Sequence, residues 1–108
     1  AKRYNYEFEN LPVYTQSCTN AVDHNFHKYT LRFQDKETRD RVKNAMGLSV
    51  HYEKPISDNA MYKHINYKKD ACVNAYKLSN TILSLPIHPW LYESEIVLIM
   101  QTVKDNTF

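Results

Sequence analysis

Gly47 is the only glycine in this chain of 108 residues, where average usage near 7% would give about seven or eight. Glycine enters positive φ without steric cost and lets a backbone approach a ligand closely, which is why loops that wrap phosphates are rich in it. No such loop exists in this sequence. With one freely left-handed position, punctuation falls to the four prolines, Pro12, Pro55, Pro86 and Pro89, and each of them ends a patterned run.

Between these marks the periodicities alternate. Tyr4, Phe8 and Leu11 recur at the spacing of one helix face, and Pro12 stops them. The run has no cap or leader before it, so the chain is expected to be a piece of something longer, with residues 1–12 the end of a linking helix. From Pro12 to Asn25 the sequence is polar and unpatterned, a loop with a short extended piece at Val13 and Tyr14. Residues 28–33 put Tyr29, Leu31 and Phe33 on one face and Lys28, Thr30 and Arg32 on the other, the mark of a half-buried strand. Asp35 can cap a short charged helix whose Thr38, Val42, Ala45 and Met46 share a face, with Gly47 in the left-handed position past its end.

Leu48, Val50 and Tyr52 then alternate with Ser49 and His51, which predicts a second strand over 48–52. Residues 53–69 predict a loop with a helical turn near Met61. Asp70 can cap a helix to about Ser79 with Ala71, Ala75 and Leu78 facing inward, and 81–85 reads as a third strand closed by Pro86 and Pro89. Beyond Trp90 and Leu91, a final helix carries Glu93 and Glu95 in its first turn and an apolar stripe of Ile96, Ile99, Met100 and Val103. The order implies an α+β fold, a small antiparallel or mixed three-stranded sheet packed by helices.

Composition narrows the class. Apolar residues at 43% and charged residues at 24% are those of an ordinary globular domain. No stretch approaches the roughly 18 apolar residues of a membrane span, and Ala1-Lys2-Arg3-Tyr4 lacks the core of a signal peptide, so the expectation is a cytoplasmic protein with no membrane partner. Fourteen basic and 12 acidic side chains leave +2, interspersed along the chain, and charge names no partner. Cys18 and Cys72 fit no C-x-x-C or disulfide framework and read as reduced thiols.

Two motifs resemble those of a known family. Val73 to Leu91, V-N-A-Y-K-L-S-N-T-I-L-S-L-P-I-H-P-W-L, followed by Glu95 and Ile96, resembles the C-terminal signature of the DegT/DnrJ-type sugar aminotransferases, with Leu83 to Pro89 as its Leu-Ser-Leu-Pro-hydrophobic-His-Pro run. Gly47 to Tyr52, followed by Pro55, is similar to the family's Gly-hydrophobic-x-x-His-Tyr segment, and His24 to Phe33 fits the strand that begins its small domain. The sequence departs from the pattern in three places: the helix before Gly47 is shorter, Ser57 stands where many members place a histidine, and Val73 stands where a proline often opens the helix.

The resemblance implies the C-terminal domain of a fold-type I enzyme, with 26–108 as the small domain. A larger N-terminal domain, missing here, would bind pyridoxal phosphate (PLP) through a Schiff-base lysine. The parent would move an amino group, typically from glutamate, onto a nucleotide-linked keto-sugar in surface polysaccharide or deoxyamino-sugar biosynthesis, and would be a homodimer. No catalytic residue and no bound cofactor are expected in this chain, which alone would be inactive.

The same resemblance places His51 and Tyr52 near the sugar-nucleotide site. Alternation also allows His51 to be a solvated strand histidine and Tyr52, on the face of Leu48 and Val50, to be core. Cys18, His24 and His27 match no zinc-finger spacing, so no metal is expected. His88, between Pro86 and Pro89, reads as shaping a turn, and His64 has no special reading. Lys36, Arg39, Arg41 and Lys43 with nine tyrosines allow a second hypothesis, a non-catalytic α+β binding module for RNA. Asp35, Glu37 and Asp40 dilute that charge, so a solvated face and no nucleic-acid partner are the expectation.

Overall fold

A strand with apolar residues on one face only must lay that face on something, and here three helices supply it. The structure is a computed structural model that describes residues 1–18, 23–62, 64–65 and 72–108. Its elements are α1 (Lys2–Phe8), β1 (Val13–Tyr14), β2 (Tyr29–Phe33), α2 (Lys36–Met46), two single 3₁₀ turns (Ile56–Asp58 and Ala60–Tyr62), α3 (Val73–Thr81), β3 (Ile82–Leu85) and α4 (Glu93–Asn106). The sheet is antiparallel in the order β1-β2-β3. Tyr29 opposes Leu85 and Leu31 opposes Leu83. With Phe33 these side chains are buried under Tyr4 and Phe8 of α1, Val42 of α2, and Ile99, Met100 and Val103 of α4. The expected α+β architecture is therefore the observed one, as is the helical turn near Met61.

Local signals set the helix ends. Asp35 Oδ1 accepts the Thr38 N–H at 2.7 Å, which holds the Asp35 carboxyl below its ordinary range and removes one orphan donor of α2. Gly47 takes φ 64°, and the Leu48 N–H returns to the Lys43 carbonyl at 2.9 Å, a glycine-terminated helix end. At α4, Glu95 reaches back to accept the Tyr92 N–H at 2.7 Å.

Three expectations are corrected. Residues 48–52 are not a strand: β2 already has β1 and β3 on its two edges, and 48–52 pairs with neither outer strand. Leu48 and Val50 are half-buried against the core and Ser49 and His51 exposed, so burial alternates without a hydrogen-bonded ladder. The sheet's third strand is instead the short extended piece at Val13 and Tyr14, whose register places Val13 opposite Phe33. Ala75 and Leu78 are exposed, and only Ser79 of α3 is buried, because that helix lies beside the polar face of the sheet, near Thr30, Arg32 and Ile82, and away from its apolar face. In α2, Ala45 is exposed and Arg39 is buried in its place. The expected cap at Asp70 and the inward Ala71 lie outside the described residues.

The core includes two phenols with specific partners. Tyr4 donates its hydroxyl to the Pro86 carbonyl at 2.9 Å, Tyr29 donates to Asn5 Oδ1 at 2.6 Å, and their rings meet edge-on with centroids 5.0 Å apart. Burial pushes both phenols up to about 12, and the nearby Tyr4 adds to the effect on Tyr29. The folded phenols therefore keep their protons at a pH where the unfolded ones, with an ordinary value of 10.0, have released them. Their contribution is complete below pH 10 and is lost as the pH rises through about 12. Denaturant unfolding across that window should show stability falling by up to roughly 2 to 3 kcal/mol per phenol, and Tyr29→Phe should flatten the slope. An equally steep fall in Tyr29→Phe and Tyr4→Phe would assign it to other groups.

Candidate functional site

Past the Schellman-like end of α2 the chain packs Leu48 and Val50 against the core, and residues 52–57 then form one wall of a groove. Tyr52, Lys54, Pro55, Ile56 and Ser57 face Cys72, Ala75, Leu78, Ser79 and Ile82 across a volume of about 350 Å³. The lining is mostly carbon; its residues with polar side chains are Tyr52, Lys54, Ser57, Cys72 and Ser79, the last with its hydroxyl donated to the Tyr76 carbonyl. Such a lining suits a ligand with an apolar or planar body and few polar contacts. Tyr52 is 57% exposed, so it is not a core residue. His51 is exposed beside it, the two rings 6.4 Å apart at their centroids, and it does not line the groove.

The structure thus brings Tyr52 and Ser57 together and leaves His51 at the rim. The other wall, on α3 and β3, was not singled out from sequence. Its signal is the apolar spacing of Ala75 and Leu78, which the sequence reading places facing inward.

The other candidates separate. His24 Nδ1 accepts the Phe26 N–H at 2.8 Å, where Phe26 takes φ 47°. Cys18 and Cys72 are exposed free thiols, and among the described residues no three His, Cys, Asp or Glu side chains come together to hold a metal ion. His88 is exposed; its carbonyl accepts the Leu91 N–H at 3.4 Å across the turn before α4. His64 is exposed. No helix among the described residues is long and apolar enough to cross a membrane.

The basic helix is half consumed by the fold. Arg39 is buried, with its Nε on Asp40 Oδ1 at 2.7 Å and its Nη1 donating to the Ser79 and Ile82 carbonyls at 3.3 Å each. Arg41 donates to the Asn106 carbonyl, Glu37 and Thr38. Guanidiniums spent on carbonyls and carboxylates inside the chain are poor phosphate binders, which weakens the RNA reading.

Comparison with known proteins follows the fold. A family model described as the DegT/DnrJ/EryC1/StrS aminotransferase family matches residues 1–104. MJ1066 of Methanocaldococcus jannaschii, itself uncharacterized, is 32% identical over 114 aligned residues, which cover 96% of this chain and 29% of that protein. Among solved structures, S. venezuelae DesV in complex with a ketimine intermediate superposes with a TM-score of 0.83 at 22% identity, covering 96% of this chain and 29% of that one.

A Streptococcus pneumoniae protein described as a sugar aminotransferase, in its PMP form, gives 0.84 at 24% identity, covering 98% of this chain and 28% of that one. A DegT DnrJ EryC1 StrS aminotransferase of Brucella abortus gives 0.80 at 22%, with 98% and 29% covered. At these identities the structures speak for fold. The chain spans about 29% of the length of the curated relative.

Arg39→Met takes the guanidinium away from the Ser79 and Ile82 carbonyls and leaves Asp40 with only the longer contact to Lys43 at 3.9 Å. It should destabilise the chain by about 2 to 4 kcal/mol in denaturant titration, whereas Arg32→Gln, at an exposed position, should stay within about 0.5 kcal/mol. Equal effects would show that Arg39 is held by packing alone.

Proposed function

This chain belongs to the DegT/DnrJ/EryC1/StrS aminotransferase family, and we propose that it is the C-terminal domain of a PLP-dependent aminotransferase acting on nucleotide-linked keto-sugars. The observation that carries the reading is the family match over residues 1–104 together with a span of 29% of the relative's length, which fits one α+β domain of a longer enzyme. Such an enzyme would serve surface polysaccharide or deoxyamino-sugar biosynthesis, in the cytoplasm, as a homodimer.

PLP supplies an electron sink for carbanion chemistry, and a protein that holds it needs a desolvated aldimine lysine, a carboxylate on the pyridine nitrogen and a cup for the phosphate. The described residues do not fit it. Their buried polar or charged side chains are Thr38, Arg39, Ser79 and Thr107, with no lysine or carboxylate among them, and the one glycine ends α2. On this reading the cofactor would be held by the parent's N-terminal domain, and no step through it is derived from this chain.

What this chain contributes is position. Tyr52, Lys54 and Ser57 on the groove, with His51 at its rim, are arranged to hold a sugar by hydrogen bonds and stacking. The exposed Tyr52, Ile56 and Leu78 would be covered by the rest of the parent, where domain boundaries favour ligand sites.

Two experiments test this. In the full-length protein, His51→Ala and Tyr52→Phe should each raise KM for the nucleotide-sugar about tenfold, as loss of a hydrogen bond of roughly 1 to 3 kcal/mol implies, with the cofactor spectrum intact. Unchanged KM and kcat would return both residues to plain surface, and a lost spectrum would move the site. Separately, the 108-residue chain mixed with PLP and reduced with borohydride should give no dominant modified lysine, since exposed lysines form aldimines without selectivity. One dominant adduct with transamination of a keto-sugar would overturn the domain reading.

A further inference from the structure

The face of the sheet that the core does not cover carries a second groove, larger and of different character. It lies between the β1–β2 edge and α3 and encloses about 890 Å³, a size that suits a small-molecule ligand. Arg32 and Lys77 stand on it from two different elements, with Tyr14, Gln34, Asn74 and Asn80 among the other walls. No carboxylate lines it among the described residues, and neither Arg32 nor Lys77 enters an ion pair with them.

We propose that this groove is a ligand site for a phosphorylated small molecule, separate from the groove at Tyr52.

Three features carry it. First, Arg32 is held in place: it sits opposite Tyr14 in the sheet register, with its guanidinium 4.1 Å from the centroid of the Tyr14 ring, so little side-chain freedom remains to be lost on binding. Second, the two cations differ in kind. A guanidinium offers a planar fork and an ammonium a point charge, and a phosphate, with more oxygens and more charge than a carboxylate, is the better match to the two together. Third, Gln34, Asn74 and Asn80 line the same groove, and their amides, of which Asn80's already donates to the Tyr76 carbonyl at 3.3 Å, offer neutral donors and acceptors that match hydroxyls on a sugar or nucleoside.

The site is distinct from the first because α3 divides them. Asn74 and Lys77 lie at i and i+3 on one side of the helix, Ala75 and Ser79 at i and i+4 on the other, and Leu78 forms the ridge between. The proposal does not rest on the aminotransferase reading, and it can fail without it.

The test is a titration of the ¹⁵N-labelled full chain at low salt with inorganic pyrophosphate, adenosine diphosphate, glucose 1-phosphate and, as the carboxylate control, sodium glutamate. At least one phosphate probe should bind saturably, shifting the amides of Tyr14, Arg32, Asn74 and Lys77 and not that of Tyr52. Arg32→Gln and Lys77→Gln should each weaken it about tenfold or more. Arg32→Lys, which keeps the charge and loses the fork, should recover only part, and Lys43→Gln, on α2, should change nothing. Pyrophosphate binding as well as the diphosphate would assign recognition to the phosphates alone, and preference for one of the two organic phosphates would assign the amides to its organic part; either supports the site. No saturable binding, weakening by Lys43→Gln as large as by Lys77→Gln, shifts centred on Tyr52, or preference for glutamate would overturn it.

Discussion

The sheet is covered on one side only, and most of the molecule follows from that. Tyr29, Leu31 and Phe33 of β2, with Leu83 and Leu85 of β3, project to one face and are all but excluded from water. Burial of five such side chains is worth on the order of 1.5 to 3 kcal/mol each, the largest favourable contribution available to a domain this small, so the helices with apolar stripes collect there. Tyr4 and Phe8, Val42, and the Ile99, Met100 and Val103 stripe answer it from α1, α2 and α4. The ion pairs at the helix ends, Arg3 with Glu93 and Lys104 with Glu7, join α1 to α4 at the surface and add little in comparison. The opposite sheet face, with Thr30, Arg32, Ile82 and Ser84, has no helix to cover it completely, and there the larger groove opens.

That asymmetry explains which parts were legible in the sequence. Residues 29–33 alternate because one face is buried and the other is not, so period two was present in the composition of the strand itself. The ends of α2 were legible because Asp35 and Gly47 each do something only a few residue types can do: accept a backbone N–H at the N-terminus and adopt positive φ at the C-terminus. The stripe of α4 was legible because helix and core share one periodicity. Motif resemblance at Leu83 to Pro89 and Gly47 to Tyr52 carried the family, which no periodicity could supply.

What misled was pattern without a partner. Leu48 and Val50 alternate with Ser49 and His51 in burial just as a strand would, yet a strand is a hydrogen-bonding relation between two segments and only one of them is in the local sequence. Conversely, Val13 and Tyr14 form a strand although two residues carry no period, since β2 offers an edge and Gln16 extends the contact by accepting the Thr30 N–H at 3.2 Å. The apolar residues of α3 misled for a related reason: Ala75 and Leu78 line a surface groove that resembles a core face until its missing cover is considered. Of the site, Tyr52 is legible from the motif, and the wall opposite it is not, because 72–82 is a separate stretch of sequence that only the fold brings against 52–57.

A helix with little buried surface still needs something to place it, and in this chain that is Arg39. Only Ser79 of α3 is buried, so packing by itself holds the helix weakly. The Arg39 guanidinium crosses from α2 to the carbonyls of Ser79 and Ile82, the point where α3 ends and β3 begins, and it is kept in that orientation by Asp40. Since β3 is fixed by its ladder with β2, the junction is held from both directions. The two grooves lie on opposite sides of this helix, and each takes one wall from it. The wall they share is thus anchored by a buried cation paired with Asp40 inside the fold, while the cations left facing the larger groove, Arg32 and Lys77, have no ion pair among the described residues. One arginine is structural and the other is open to a ligand because of where the sheet's single covered face puts them.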